Sequence, residues 1–325
     1  MLRSAFIVFL LGHILFSQTP APSPSLTHAD MALINEVYHL QRVAGAAIWP
    51  GWNADDAPFL YKTAHWDFLM NHPRPPAPYK AVFDSIYGDT LYIARNSDSL
   101  SYRAAYPVNG RFTVVMTTPG EDDDPCRWVI KGVHELFHVF QNKVRQQRIV
   151  NPFVGPHADK HELSYPFPYD DSIIPSYMRL EAEHIFSAIQ SGKNDPKIKK
   201  LHAHFQMVGS RVFLDSLDWR FKQWMEWNEG VARYTERETA LIAADSALYR
   251  PTDRFLHYYT DAAYAKTWNS DYRNDLNPIR FVGEGVRGRI QFYYLGMAKA
   301  YLLDLLDPDW RNDYFSFPLD KLLTR

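Results

Sequence analysis

Val133-His134-Glu135-Leu136-Phe137-His138-Val139-Phe140 combines the spacing H-E-x-x-H with the apolar rhythm of a buried helix. Upstream, Asp124 and Pro125 form a helix start, with an N-cap side chain followed by Pro at the first helical position. Val129, Ile130, Val133, Leu136, Phe137 and Phe140 recur at helical spacing, which predicts a helix over 126–147. On that helix His134 and His138 lie one turn apart on one face and can hold a single metal ion. Glu135 sits beside them, placed to take a proton from a water on that metal. A helix with two core histidines would account for the histidines but gives no reason for the carboxylate between them. The pattern is that of a zinc hydrolase, most often a peptidase.

Before this helix the chain reads as strands. Residues 59–63, 90–94 and 112–116 are rich in β-branched and aromatic side chains and are separated by Pro and Gly clusters. A short amphipathic helix over 31–47 precedes them and ends at the turn signal Trp49-Pro50-Gly51-Trp52. After residue 125 helices dominate, over roughly 126–147, 175–191, 196–215, 218–246 and 288–305. Residues 148–174 are rich in Pro, Tyr, His and Asp and read as a long loop. Strands first and helices afterwards predict an α+β fold, with a mainly antiparallel N-terminal sheet packed on a mostly helical, zincin-like C-terminal part. The last strand runs directly into the metal helix, which would let an extended peptide pair along its edge.

A catalytic zinc takes three protein ligands and leaves one position open. The metzincin set is absent, because Gln141 and Val144 stand where that pattern needs Gly and His. Three alternatives compete for the third ligand. They are Glu229, Glu162 in the loop after the motif helix, and the helical cluster Glu181, Glu183 and His184. Trp227-Asn228-Glu229-Gly230-Val231-Ala232-Arg233-Tyr234-Thr235-Glu236 resembles the N-E-G-x-A-x-Y-x-E segment of gluzincin peptidases, notably the aminopeptidase-N type of the peptidase MA clan. The resemblance implies Glu229 as the third zinc ligand. Glu236, two turns on along the same face, could orient a ligand histidine. In that family the two motifs lie close together. Here about 90 residues separate them, which requires an insertion at about 148–215 that folds as extra helices and returns the chain to the site. Phe292-Tyr293-Tyr294-Leu295-Gly296 partly resembles the family's Tyr-x-x-Gly segment and implies Tyr293 as the oxyanion donor, with Tyr294 as the neighbouring alternative. The family's lysine before that glycine is Leu295 here. Its amine-binding G-x-M-E-N string is also missing, since residues 110–120 place Thr117 after Met116. Aminopeptidase specificity therefore does not carry over.

Size and charge bound the rest. At 325 residues the chain can bury a large core, and a net charge of −2 gives no basic face for nucleic acid. Arg3 followed by an apolar run from Ala5 to Phe16 reads as a signal peptide over 1–17. A flexible leader over 18–30 follows. Residues 31–124 form the N-terminal helix and sheet, and 125–325 the helical catalytic part. The expected protein is a secreted or periplasmic zinc peptidase with no membrane span in the mature chain. Its single cysteine, Cys126, excludes an internal disulfide. Two other classes fit the same residues: a non-catalytic peptide- or ligand-binding protein on a zincin scaffold, and a zinc hydrolase of a non-peptide amide. Glu121 to Asp124 read as a solvated loop that favours the helix start, and His202 and His204 point apart.

Overall fold

Helix α1 (His28–Ile48) begins three residues before Met31 because Thr27 caps it. Thr27 Oγ1 accepts from the Asp30 amide at 3.0 Å, and Asp30 accepts in return from the Thr27 amide at 2.8 Å, a reciprocal capping box. The computed structural model describes residues 24–52, 57–96, 103–145, 164–192, 195–213 and 216–325. The expected signal peptide, the first part of the leader and Glu162 lie outside the described residues.

Six strands follow α1: β1 (Phe59–Lys62), β2 (Trp66–Met70), β3 (Lys80–Asp84), β4 (Asp89–Arg95), β5 (Arg103–Val108) and β6 (Arg111–Thr117). They form one sheet in the order β3-β4-β2-β1-β6-β5. Only β1 and β6 are parallel, with Phe59 opposite Val114; the other pairs are antiparallel. Alternation sorts the side chains. Phe59, Tyr61, Phe68, Met70, Val114 and Met116 join the main core, while Leu60, Leu69 and Val115 form a small second core with Tyr79, Tyr92 and Tyr106. The expected strands match β1, β4 and β6. The other three carry weaker signals: β3 is exposed almost throughout and β5 contains Pro107.

Strand β6 is not an edge strand, contrary to the expectation that it would offer one. Asn109 and Gly110 both adopt positive φ (44° and 77°) and fold β5 back onto β6 as a two-residue hairpin. The terminal strand beside the motif helix is therefore β5.

The remaining chain is helical, and the fold is α+β. Helix α2 (Pro125–Arg145) carries the motif. It starts as anticipated: Asp124 Oδ1 accepts from the amides of Cys126 (2.8 Å) and Arg127 (3.2 Å). Helix α1 crosses it at Gly132, where a Cβ would lie only 2.6 Å from Val37 Cγ2. Helices α3 (Ile173–Ser191) and α4 (Pro196–Val212) lie in the described part of the insertion. The helix expected over 218–246 is broken into α5 (Ser216–Met225), a π-helical turn (Glu226–Gly230) and α6 (Val231–Ala244). Short helices α7 (Asp253–Tyr258) and α8 (Tyr264–Thr267) lead to α9 (Ile290–Leu306) and the terminal α10 (Leu319–Leu323). No helix among the described residues is long and apolar enough to cross a membrane.

Candidate metal centre

Three elements meet at the site. Helix α2 turns His134 and His138 to one face, with their Nε2 atoms 3.1 Å apart. The π turn brings Glu229 opposite them. Its Oε2 lies 3.3 Å from His138 Nε2 and 3.9 Å from His134 Nε2. Zinc–ligand bonds of about 2.0–2.2 Å in a tetrahedral site place donor atoms roughly 3.3–3.6 Å apart, and the separations of 3.1, 3.3 and 3.9 Å scatter around that spacing, so this donor set could hold one metal ion. Among the described residues these three form the group of His, Cys, Asp and Glu side chains that can hold a metal. All three are buried.

Each ligand is held from behind. His134 Nδ1 lies 2.9 Å from Glu236 Oε2, which leaves Nε2 for the metal face. Glu236 is fully buried and sits between Lys131 Nζ (2.6 Å), Arg233 Nη1 (2.6 Å) and the Tyr272 hydroxyl, which donates to it at 2.8 Å. Burial opposes its ionisation, but Arg233 and Lys131 outweigh burial and hold its carboxyl well below the usual range. His138 Nδ1 pairs with Gln141 Oε1 at 2.7 Å. Gln141 Nε2 in turn donates to the Asn228 carbonyl in the π turn (3.0 Å) and to the Tyr314 hydroxyl (2.7 Å). Arg289 Nη2 donates to Glu229 Oε1 at 3.0 Å, leaving Oε2 toward the histidines.

The electrostatics couple His138 and Glu229. Burial alone would depress the His138 imidazolium, yet the Glu229 carboxylate outweighs it and pushes the pKa up to about 9. Reciprocally, burial would raise Glu229, but His138, Arg289 and His134 hold it well below the usual carboxylate range. Glu135 makes no comparable ion pair. Burial drives its carboxyl up despite the neighbouring histidines, the environment that makes a carboxylate a stronger base.

Tyr293 reaches the same spot. Burial first, and then the nearby Glu229 charge, push its hydroxyl far above the usual tyrosine range, so it stays a donor. A backbone contact makes this possible. Helix α9 crosses the π turn at Gly296 and Gly230, and a Cβ on Gly230 would lie 2.4 Å from Gly296 Cα. Tyr294 instead faces Arg233 and Asp275, away from the ligands.

The competing third ligands among the described residues fall elsewhere. Glu183 pairs with Arg179 on the surface of α3 at 2.8 Å, and His184 stacks on Phe205. Glu181 is buried against Lys222 and Lys299. Asp123 pairs with Arg103, while Asp124 accepts from Thr267 as well as capping α2. Gln141, Arg289, Lys131, Arg233 and Tyr272 were missed from the sequence. Two had a visible signal: Lys131 and Gln141 fall three residues before His134 and three after His138, on the ligand face of α2. Arg289 and Tyr272 become neighbours only through the fold. The chain matches no family model, no curated protein and no solved structure.

Proposed function

We propose that this protein is a zinc-dependent peptidase of the gluzincin type, with His134, His138 and Glu229 as ligands. The observation that carries the reading is the convergence of three buried donor atoms, two from α2 and one from a segment about 90 residues away, within 4.8 Å of one another. Zinc, when bound, supplies a Lewis acid that acidifies water and polarises a carbonyl. Glu135, desolvated and adjacent to the ligands, takes the proton of the attacking water and returns it to the leaving amine. The Tyr293 hydroxyl donates to the oxygen that gains charge as the carbonyl is attacked. Arg289 keeps Glu229 in its ligand orientation. Peptide is the substrate class because β5, the terminal strand of the sheet, packs beside α2 and offers backbone pairing to an extended chain.

One assay set tests this reading. Zinc content and cleavage of a broad peptide library are measured for the native protein and for Glu135→Gln. The expected result is one zinc per chain in both proteins and cleavage by the native protein only. A native protein that neither contains nor takes up zinc would sink the reading. Zinc without cleavage of any peptide would favour a binding protein or a hydrolase of non-peptide amides.

A further inference from the structure

Behind the π turn, on the side away from the ligands, lies a group of five buried charged side chains. Lys299 Nζ is 2.6 Å from Asp320, 2.8 Å from Glu226 and 2.9 Å from Glu181. Lys222 Nζ is 2.7 Å from Glu226 and 2.9 Å from Glu181. None of the five side chains exceeds 5 % exposure. His202, also fully buried, adds a contact to Asp320 at 3.3 Å. No step of the proposed reaction uses these groups. Buried ion pairs are costly to desolvate and are often matched or beaten in stability by apolar substitutes, so stability alone does not explain five of them.

Their placement does. The π turn starts at Glu226 and ends at Gly230, with Glu229 between them. Helix α9 meets that turn at three points, three residues apart. Tyr293 lies near Glu229, Gly296 touches the backbone of Gly230, and Lys299 binds Glu226. A π turn is a wide turn that places one extra residue in a helix and is frequent at functional sites. Relaxation to α-helical register would rotate later side chains by roughly 100° relative to earlier ones. Either Glu229 would leave the histidines, or Glu226 would leave Lys299 and strand buried charges.

We propose that Lys299 and Glu226 are positioning residues that lock the register of the π turn and so fix the aim of Glu229 at His134 and His138. This inference rests on the metal-centre reading only for its consequence. The lock itself is a property of the metal-free chain. Lys222 holds Glu226 from one turn earlier in the same rod, and Glu181 and Asp320 hold the two lysines from the insertion and the C-terminus. The insertion between the two motifs thus supplies part of the frame for the third ligand.

The test uses the full chain with two measurements. Hydrogen exchange of the 226–231 amides is followed in metal-free protein, and zinc affinity is measured by competition with a chromophoric chelator. Glu226→Gln/Lys299→Met removes both partners together; Lys222 keeps Glu181, and Asp320 keeps its contacts to His202 and Gln223. The expected result is a folded protein whose 226–231 amides exchange at least about 10-fold faster, with zinc bound about 10–100-fold more weakly. Cobalt(II) loaded into the same variant should show a visible spectrum altered from that of the native protein. Glu226→Gln alone keeps the shape and serves if the double variant does not fold, with the same changes in smaller measure. Glu181→Gln is the control: it removes a lysine partner outside the π turn, so it loses thermal stability and weakens zinc binding less than Glu226→Gln does. Native exchange and native affinity in a folded Glu226 variant would overturn the inference. So would equal loss of affinity in Glu181→Gln and Glu226→Gln, because that is general core support. If the native chain binds no zinc, the functional reading fails, and the exchange measurement still decides the lock.

Discussion

A methyl group added at Gly296 probes the contact on which the site depends. In Gly296→Ala the new Cβ would lie 2.1 Å from the Glu226 carbonyl oxygen and 2.7 Å from Gly230 Cα, where ordinary contact begins at 3.4 Å. Both obstacles are backbone, so no side chain can swing aside. Helix α9 and the π turn must separate by roughly 1 Å. Overpacking of this kind costs about 1–3 kcal/mol, a fall of a few degrees in Tm for a chain of this size. The site should suffer more than the fold. Tyr293 sits one turn from Gly296, and Glu229 adjoins Gly230, so the separation moves an expected ligand and the expected oxyanion donor away from each other. A misplacement of about 1 Å lowers catalysis by roughly 100-fold. The assay compares Tm, zinc affinity and peptide cleavage for Gly296→Ala and for Gly285→Ala. At Gly285 the added Cβ meets nothing closer than 3.6 Å, and the backbone φ is not positive. Gly285→Ala should match the native protein in all three measurements. A Gly296→Ala protein with native Tm and native zinc affinity would refute the close crossing and the reasoning built on it.

Glu236→Gln should weaken zinc binding about 10–100-fold although Glu236 does not face the metal position, because it orients His134; unchanged affinity by chelator competition would argue against that role. Tyr293→Phe should keep its zinc and lose about 100–1,000-fold in kcat with little change in KM; a native kcat would remove Tyr293 from the oxyanion role. Burial, aided by Asp124, pushes the Cys126 thiol up to about 12 from 9.0. The unfolded chain then loses that proton at lower pH than the folded one. The contribution to stability is therefore full below about pH 9 and is lost as pH rises toward 12. At pH 8 the native protein should resist thiol alkylation until denaturant is added, and rapid labelling of native protein would contradict the buried position.

The short-range features of this chain were legible because they are periodic or local. The apolar stripe, the Asp124-Pro125 start and the i, i+4 histidines depend on neighbours within two turns, and α2 forms as those residues dictate. The α+β order followed from where the alternation of period two gives way to period 3.6. The string around Glu229 pointed by resemblance to it as the expected third ligand, and the fold brings that carboxylate to the histidines. Weakly patterned segments did not announce themselves. Strand β5 exists because Asn109-Gly110 turns the chain back, and this removes the edge that β6 would otherwise have offered.

By itself, then, the sequence determined the helix of residues 125–145, the placement of His134, Glu135 and His138 on it, and the class of fold, since all of these rest on contacts between near neighbours. Only the tertiary structure decided how Glu229 is aimed. Its carboxylate sits on a turn that is neither regular helix nor loop, pinned by Gly296, Lys299 and Arg289 from elsewhere in the chain. No periodicity encodes a register that is set by backbone contact and buried charge across such distances. That register exists only once the helices have packed.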